Sequence, residues 1–296
     1  MPNVIANGIE IEYDTFGDLS SPPLLLIAGT RAQLISWPDP LCDQLAKQGL
    51  YVIRYDNRDV GLSSKIDYAA APNMLEVLAS RERGEDAKIP YTLDDMAEDA
   101  IGLLDALNFE KAHVFGISIG GMIGQIMAIR YPSRVSTLIS MMCGTAGASI
   151  GAVKPEVASI GMIPPPEDRD GYVEHNVRFF HVLAGSKIPL DDQLTRQVAQ
   201  QSYDRCYYPE GWARQQIAVL TAWDRTQALK SVTVPALVIL GSEDPVIPVE
   251  DGRAVAEAVP GAELLIIEGL GHGLQFPEVW PIWVDAVAAH TRKAGS

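Results

Sequence analysis

At 296 residues with 47% hydrophobic content, the chain exceeds a typical single domain yet fits one large α/β core carrying an insertion. Its formal net charge of -15, with no compensating Lys/Arg cluster, opposes binding to nucleic acid phosphates or anionic membrane surfaces. The first eight residues, Met1 to Gly8, are not a basic segment followed by an apolar one, and no later apolar run approaches the length of a membrane span, so a soluble cytoplasmic enzyme with no nucleic acid or membrane partner is expected.

In chain order, Ile9 to Tyr13 alternates in period two as a strand with one wet face does, and Leu24 to Ile27 is a continuous apolar run suited to a sheet centre. Trp37 to Lys47 reads as a helix ending near Gly49, followed by the buried strand Tyr51 to Tyr55. Asp67 to Pro90, with the mixed charges of Arg81 to Asp86, reads as a solvated loop. Thr92 and Asp95 have capping-box spacing for a helix from Leu93 to Leu107, in which Met96, Ala100, Leu103, Leu104 and Leu107 share a face. Strand Ala112 to Phe115, a helix from Ile119 to Arg130 stopped by Tyr131-Pro132, and strand Val135 to Met142 follow. The pattern resumes with strand Ala236 to Leu240, helix Val249 to Ala258, strand Leu264 to Ile267 and a closing helix from Pro277 to Thr291. Strands alternating with helices imply a mostly parallel sheet covered by helices on both faces.

Residues 144–230 interrupt that alternation, with a triple proline at Pro164 to Pro166, helical stretches at Gly171 to Leu183 and Asp191 to Arg205, and the aromatics Phe179, Phe180, Tyr203, Tyr207, Tyr208 and Trp212. So long an insertion between core strands implies a small helical cap over one end of the sheet. The predicted organisation is therefore a first core part (1–143), a cap (144–230) and a second core part (231–296). Cys42, Cys143 and Cys206 are far apart and show no ligand spacing, so they read as buried free thiols, and neither a metal nor a cofactor is expected.

The chemistry concentrates in Gly116-Ile117-Ser118-Ile119-Gly120, a G-x-S-x-G between a strand and a helix. That arrangement is a nucleophile elbow, whose turn holds the serine hydroxyl clear of the sheet and whose crowding demands glycines on either side. A serine needs a base in reach and an orienting acid behind that base. Of five histidines, His272 follows the last core strand in Gly271-His272-Gly273, at the end of the sheet where α/β sites gather. His113, at the start of the elbow strand, reads as structural, His290 in the last helix as solvated, and His175 and His181 as packing or surface residues of the cap. The acid lies in Glu243-Asp244-Pro245, after strand Ala236 to Leu240, where both carboxylates are candidates. Asp56 and Asp59, after the strand ending at Tyr55, read as holding the site together. The Ile119 N–H at the helix start is a natural oxyanion donor, because helix N-termini carry free N–H groups and a favourable dipole.

The order serine, acid, histidine, together with the Tyr55 to Ser63 loop, Asp244-Pro245 and Gly271-His272, resembles the α/β-hydrolases over nearly the whole chain. Among capped members it is most similar to the aclacinomycin methylesterases, in Ser36-Trp37-Pro38-Asp39, in Ile53 to Ser63 and in Ala289-His290-Thr291-Arg292. The resemblance implies the α/β-hydrolase fold, with the cap inserted after the strand that follows the nucleophile helix. It selects Asp244 over Glu243 and points to the Thr30 N–H as second oxyanion donor, although Ala28-Gly29-Thr30 replaces the His-Gly of many relatives. The implied function is a serine carboxylester hydrolase with the triad Ser118, Asp244, His272, acting through an acyl-enzyme on a small-molecule ester, such as a methyl ester of a bulky aromatic compound. The same triad would serve a cofactor-free perhydrolase or haloperoxidase, a lactonase or a carbon–carbon bond hydrolase, and the fold also occurs in ligand-binding proteins without turnover.

Overall fold

The computed structural model describes residues 1–67, 73–83, 85, 89–145, 153–161 and 163–295. Its strands are β1 (Asn3–Ala6), β2 (Ile9–Phe16), β3 (Pro23–Ile27), β4 (Tyr51–Tyr55), β5 (Ala112–Ile117), β6 (Val135–Met141), β7 (Ala236–Gly241) and β8 (Glu263–Ile267). They form one sheet in the order β1-β2-β4-β3-β5-β6-β7-β8. The β1/β2 and β2/β4 pairings are antiparallel, and all the others are parallel.

The apolar run at β3 divides between the two faces of the sheet, as period-two alternation requires. Leu25 and Ile27 face one core with Ile53 and Val114, against α3 (Leu93–Ala106) and α4 (Ile119–Arg130). Leu24 and Leu26 face the other with Val52, Phe115 and Ile139, against α1 (Asp39–Ala46) and α11 (Trp280–Thr291). A third cluster joins β7 to α10 (Val249–Ala258) through Val238, Leu240 and Val255. The capping box is present at α3: the Asp95 N–H donates to Thr92 Oγ1, and Asp95 Oδ2 accepts from the Thr92 N–H.

Some expectations require correction. The stretch read as loop contains the helix α2 (Met74–Glu82), whose weak amphipathicity left no periodic signal. Arg83 and Glu85 are exposed and ion-paired at 2.7 Å, whereas Gly84 and Asp86 lie outside the described residues. Strand β1 is too short and too exposed to register as a pattern. The closing helix begins at Trp280, after a 3-10 turn over Pro277–Val279. Between β6 and β7 lie α5 (Pro155–Gly161), α6 (Arg169–Leu183), α7 (Asp192–Arg205), α8 (Pro209–Thr221) and α9 (Thr226–Leu229), so the insertion holds more helix than its sequence pattern indicates. Among the described residues, no helix is long and apolar enough to cross a membrane.

Candidate active site

Strand β5 delivers the chain to Ser118, which turns sharply at φ 56°, ψ -123° before α4 begins at Ile119. That left-handed φ is costly for a residue with a side chain, about 1–3 kcal/mol, and persists only where the surroundings enforce it. Here the enforcement is steric. A Cβ on Gly116 would sit 2.0 Å from the Gly120 carbonyl oxygen, and one on Gly120 would sit 2.1 Å from the Ile27 carbonyl oxygen, so strand, turn and helix close up only with glycine at both positions. The Ser118 N–H donates to the Met141 carbonyl at 2.9 Å, tying the turn to the end of β6.

The loop after β3 passes beside the serine, since a Cβ on Gly29 would lie 3.6 Å from Ser118 Cβ. Thr30 and Arg31 continue this turn, which the Ala32 N–H closes by donating to the Gly29 carbonyl at 3.2 Å. Among the described residues neither the Thr30 N–H nor the Ile119 N–H has a protein acceptor.

His272 Nδ1 and Asp244 Oδ2 are 2.7 Å apart, both residues being buried. Asp244 is itself held by its other oxygen, which accepts from the Val246 and Ile247 N–H groups at 2.8 Å each. The histidine loop is fixed from the insertion side, where the His272 N–H donates to the Leu183 carbonyl at the end of α6 at 2.8 Å. From the core side, the Gly273 N–H points at Met142 Sδ at 3.4 Å, beside the β6 end that anchors Ser118. Glu243, half-buried, turns away from His272 to Ser186, and its carboxylate accepts from the Ser186 N–H and hydroxyl at 2.6 and 2.8 Å, bonds that lower its pKa.

The remaining candidates sort by their contacts. Asp56 accepts from the Leu34 and Leu62 N–H groups and pairs with Arg205 at 2.6 Å, and Asp59 takes a bidentate pair from Arg214 at 2.8 and 2.9 Å. Both are structural, as expected. His113 is buried between β5 and β6 with Nδ1 3.0 Å from Thr137 Oγ1, and burial pushes its pKa down to about 4. His290, expected in solvent, is buried and its Nδ1 lies 2.8 Å from Glu263 Oε1; the face that it occupies on α11 turns toward β8. His181 is exposed beside Asp192, and His175 is buried. Burial raises the thiol pKa of Cys42 to about 12 and of Cys143 to about 11, while Cys206, expected buried, is partly exposed.

Sequence reasoning missed the residues that bind the insertion to the core. Arg205 and Arg214 find their carboxylates 149 and 155 positions away, and no local pattern announces such a pairing. Arg31 was also missed: its guanidinium lies 4.3 Å from the Phe179 ring centroid and 5.8 Å from that of Trp212.

A family model described as the alpha/beta hydrolase fold matches residues 22–279. The chain belongs to the α/β-hydrolase family. It is 32% identical to a rhodomycin D methylesterase of Streptomyces peucetius, covering 94% of this chain and 93% of that protein. It is 28% identical to 3-oxoadipate enol-lactonase 2 of Acinetobacter baylyi, over 89% and 86% of the two chains. Among solved structures, the enol-lactonase from Burkholderia xenovorans superposes with a TM-score of 0.73 at 22% identity, over 98% and 100% of the two chains. A meta-cleavage product hydrolase from Pseudomonas fluorescens superposes with a TM-score of 0.75 at 22% identity, over 99% and 98%. These two structures share the fold. Family and curated relatives together make the chain a carboxylester hydrolase.

Proposed function

We propose that Ser118, His272 and Asp244 are the catalytic triad and that the protein cleaves esters through an acyl-enzyme. The observation that carries this reading is the 2.7 Å His272–Asp244 pair, in the same end region of the sheet as a serine held at φ 56°. With Nδ1–H assigned as donor to Asp244 Oδ2, His272 Nε2 keeps its lone pair for the serine proton. Ser118 Oγ attacks the ester carbonyl as Nε2 takes that proton. The tetrahedral oxyanion is met by the Thr30 and Ile119 N–H groups, which have no acceptor of their own among the described residues. The imidazolium, stabilised by Asp244, then protonates the departing alcohol. Water, activated by the same Nε2, attacks the acyl-enzyme and releases the acid and free Ser118.

Residues 144–230 act in this reading as a cap that selects the substrate, between core parts 1–143 and 231–296, in a cytoplasmic enzyme. Its aromatics support that role unequally. Tyr172, Tyr203 and Tyr207 pack on one another with ring centroids 5.3–5.8 Å apart, whereas Phe179 and Trp212 lie against Arg31 beside the oxyanion loop. Similarity to the rhodomycin D methylesterases favours a methyl ester of a bulky aromatic compound as substrate. The test is organophosphonate labelling and turnover of an activated ester. Wild type should carry the adduct on Ser118, and Ser118→Ala should lose on the order of a million-fold in kcat while folding normally. Retention of more than a few percent of activity by clean Ser118→Ala protein refutes the assignment.

A further inference from the structure

Arg31 stands two residues beyond Gly29, the position that lies against Ser118, and its setting is unusual in three respects. Its backbone is held at φ 56°, with its N–H donating to Gln215 Oε1 of α8 at 2.7 Å, so the side chain is aimed rather than free. Its guanidinium is flanked by the rings of Phe179 and Trp212. Its Nη2 is sealed from solvent, although the residue as a whole is partly exposed, and has no hydrogen-bond partner among the described residues.

A guanidinium stays protonated at any ordinary pH, so an unpaired N–H pair beneath a hydrophobic roof is expensive. The more deeply buried arginines, Arg54, Arg58, Arg214 and Arg225, all have acceptors, and among their sealed nitrogens only Arg54 Nε has none among the described residues. Arg54 meets Asp14 and Asp39, Arg58 meets Asp99, Arg214 meets Asp59, and Arg225 meets Gln125 Oε1 and two backbone carbonyls. The α6 face opposite Arg31 supplies no carboxylate. Tyr172, His175 and Phe179 are spaced at three and four residues and so share one side of the helix. His175 Nε2 is likewise buried and has no partner among the described residues, and Arg31 contributes, after burial, to the lowering of its pKa. Burial lowers the pKa of Arg31 and only the Tyr172 phenol opposes it. Glu174, on another side of α6, is already paired with Arg196.

We infer that Arg31 receives a carboxylate of the substrate, so that this protein selects esters carrying a second, ionised acid group close to the scissile bond. This inference rests on the reading of Ser118 as the nucleophile. A carboxylate supplies the acceptor and the negative charge that this guanidinium lacks among the described residues, and because Nη2 is sealed it is reached only as the side chains around it, Phe179 and Trp212 among them, give way. A carboxamide of the same shape lacks the charge and cannot replace it.

Two series of substrates decide the matter, because the carboxylate could belong to the acyl or the alcohol portion. The first comprises monomethyl esters of the dicarboxylic acids from succinic to suberic, each paired with the methyl ester whose free acid is a carboxamide. The second comprises acetyl esters of hydroxybenzoic acids, each paired with the hydroxybenzamide ester. Wild type should favour the acid member of at least one pair by about 30-fold or more in kcat/KM. Arg31→Gln, which keeps the backbone and the side-chain polarity, should bring that ratio close to one, and Arg31→Lys should retain part of it. Equal turnover of both members in every pair overturns the inference, as does a preference that survives Arg31→Gln. The wild-type comparison stands even if Arg31→Gln does not fold. Phosphonate labelling of Ser118 with equal turnover refutes the carboxylate site alone. Absence of labelling together with absence of turnover refutes the triad and the carboxylate site together.

Discussion

Glu243 and Asp244 are adjacent acids with opposite environments. Asp244 is buried, spends one oxygen on two backbone N–H groups and presents the other to His272, whereas Glu243 is half-buried and serves Ser186. Of the two, only Asp244 is placed to fix the imidazole tautomer and stabilise its charge in the proposed triad, so Asp244→Asn should lower kcat by roughly ten-thousand-fold. Glu243→Gln should stay within a few-fold of wild type. Steady-state kinetics on one activated ester checks both, and a larger loss for Glu243→Gln would mean the wrong acid has been assigned. Of the proposed triad, Ser118 and His272 carry local signals in the sequence, flanking glycines in one case and a position after the last core strand in the other. Preference for Asp244 needed the family pattern. Arg31 had no such signal, since Phe179 and Trp212 become its neighbours only when α6 and α8 fold back over the loop after β3.

At the scale of elements, α7 and α8 are fastened to two core loops. Gln33 Nε2 donates to the Ser202 and Cys206 carbonyls at 2.8 and 2.9 Å, and Gln215 bridges the loops, accepting from the Arg31 N–H and donating to the Arg58 carbonyl at 3.1 Å. Beside it the Arg214–Asp59 pair is sealed, its side chains 4% and 0% exposed. Removing one member of a sealed pair leaves the other charge without compensation, which costs about 3–5 kcal/mol. Arg214→Met, close in volume, should therefore lower the unfolding free energy by that amount. Arg196→Gln breaks a pair whose members are 42% and 52% exposed and should cost less than about 1 kcal/mol. Denaturant titrations of the two variants side by side make the comparison, and equal losses would show that the Arg214–Asp59 contact carries no special burden. The insertion was legible in sequence as helical and aromatic, but not in how it docks, because its anchors are polar residues paired across more than a hundred positions.

For the whole molecule, the central sheet was the most legible feature. The strands β3, β4, β5 and β7 are mostly apolar, are buried almost throughout and lie between helices, which leaves little alternative to a covered, mostly parallel sheet. The edges were least legible, since β1 is exposed and α2 lacks an amphipathic stripe, and neither is held by the burial that makes a pattern visible. One buried group of that sheet couples its stability to pH. His113 is enclosed between β5 and β6, and burial, with the nearby His290 and Lys111 adding to it, depresses its pKa from 6.5 to about 4. The unfolded chain therefore binds a proton at this residue from about pH 6.5 downward, while the folded chain does not do so until pH falls to about 4. With more protons bound by the unfolded state, stability must fall as pH falls across that window, by about 3 kcal/mol in total from this residue. His113→Gln can keep a hydrogen bond to Thr137 and cannot titrate, so it should remove that component and flatten the dependence. The measurement is the unfolding free energy of wild type and variant at steps through the window, taken as a difference so that the carboxylates common to both cancel. A difference that stays constant with pH would show that His113 titrates alike in the folded and unfolded chains.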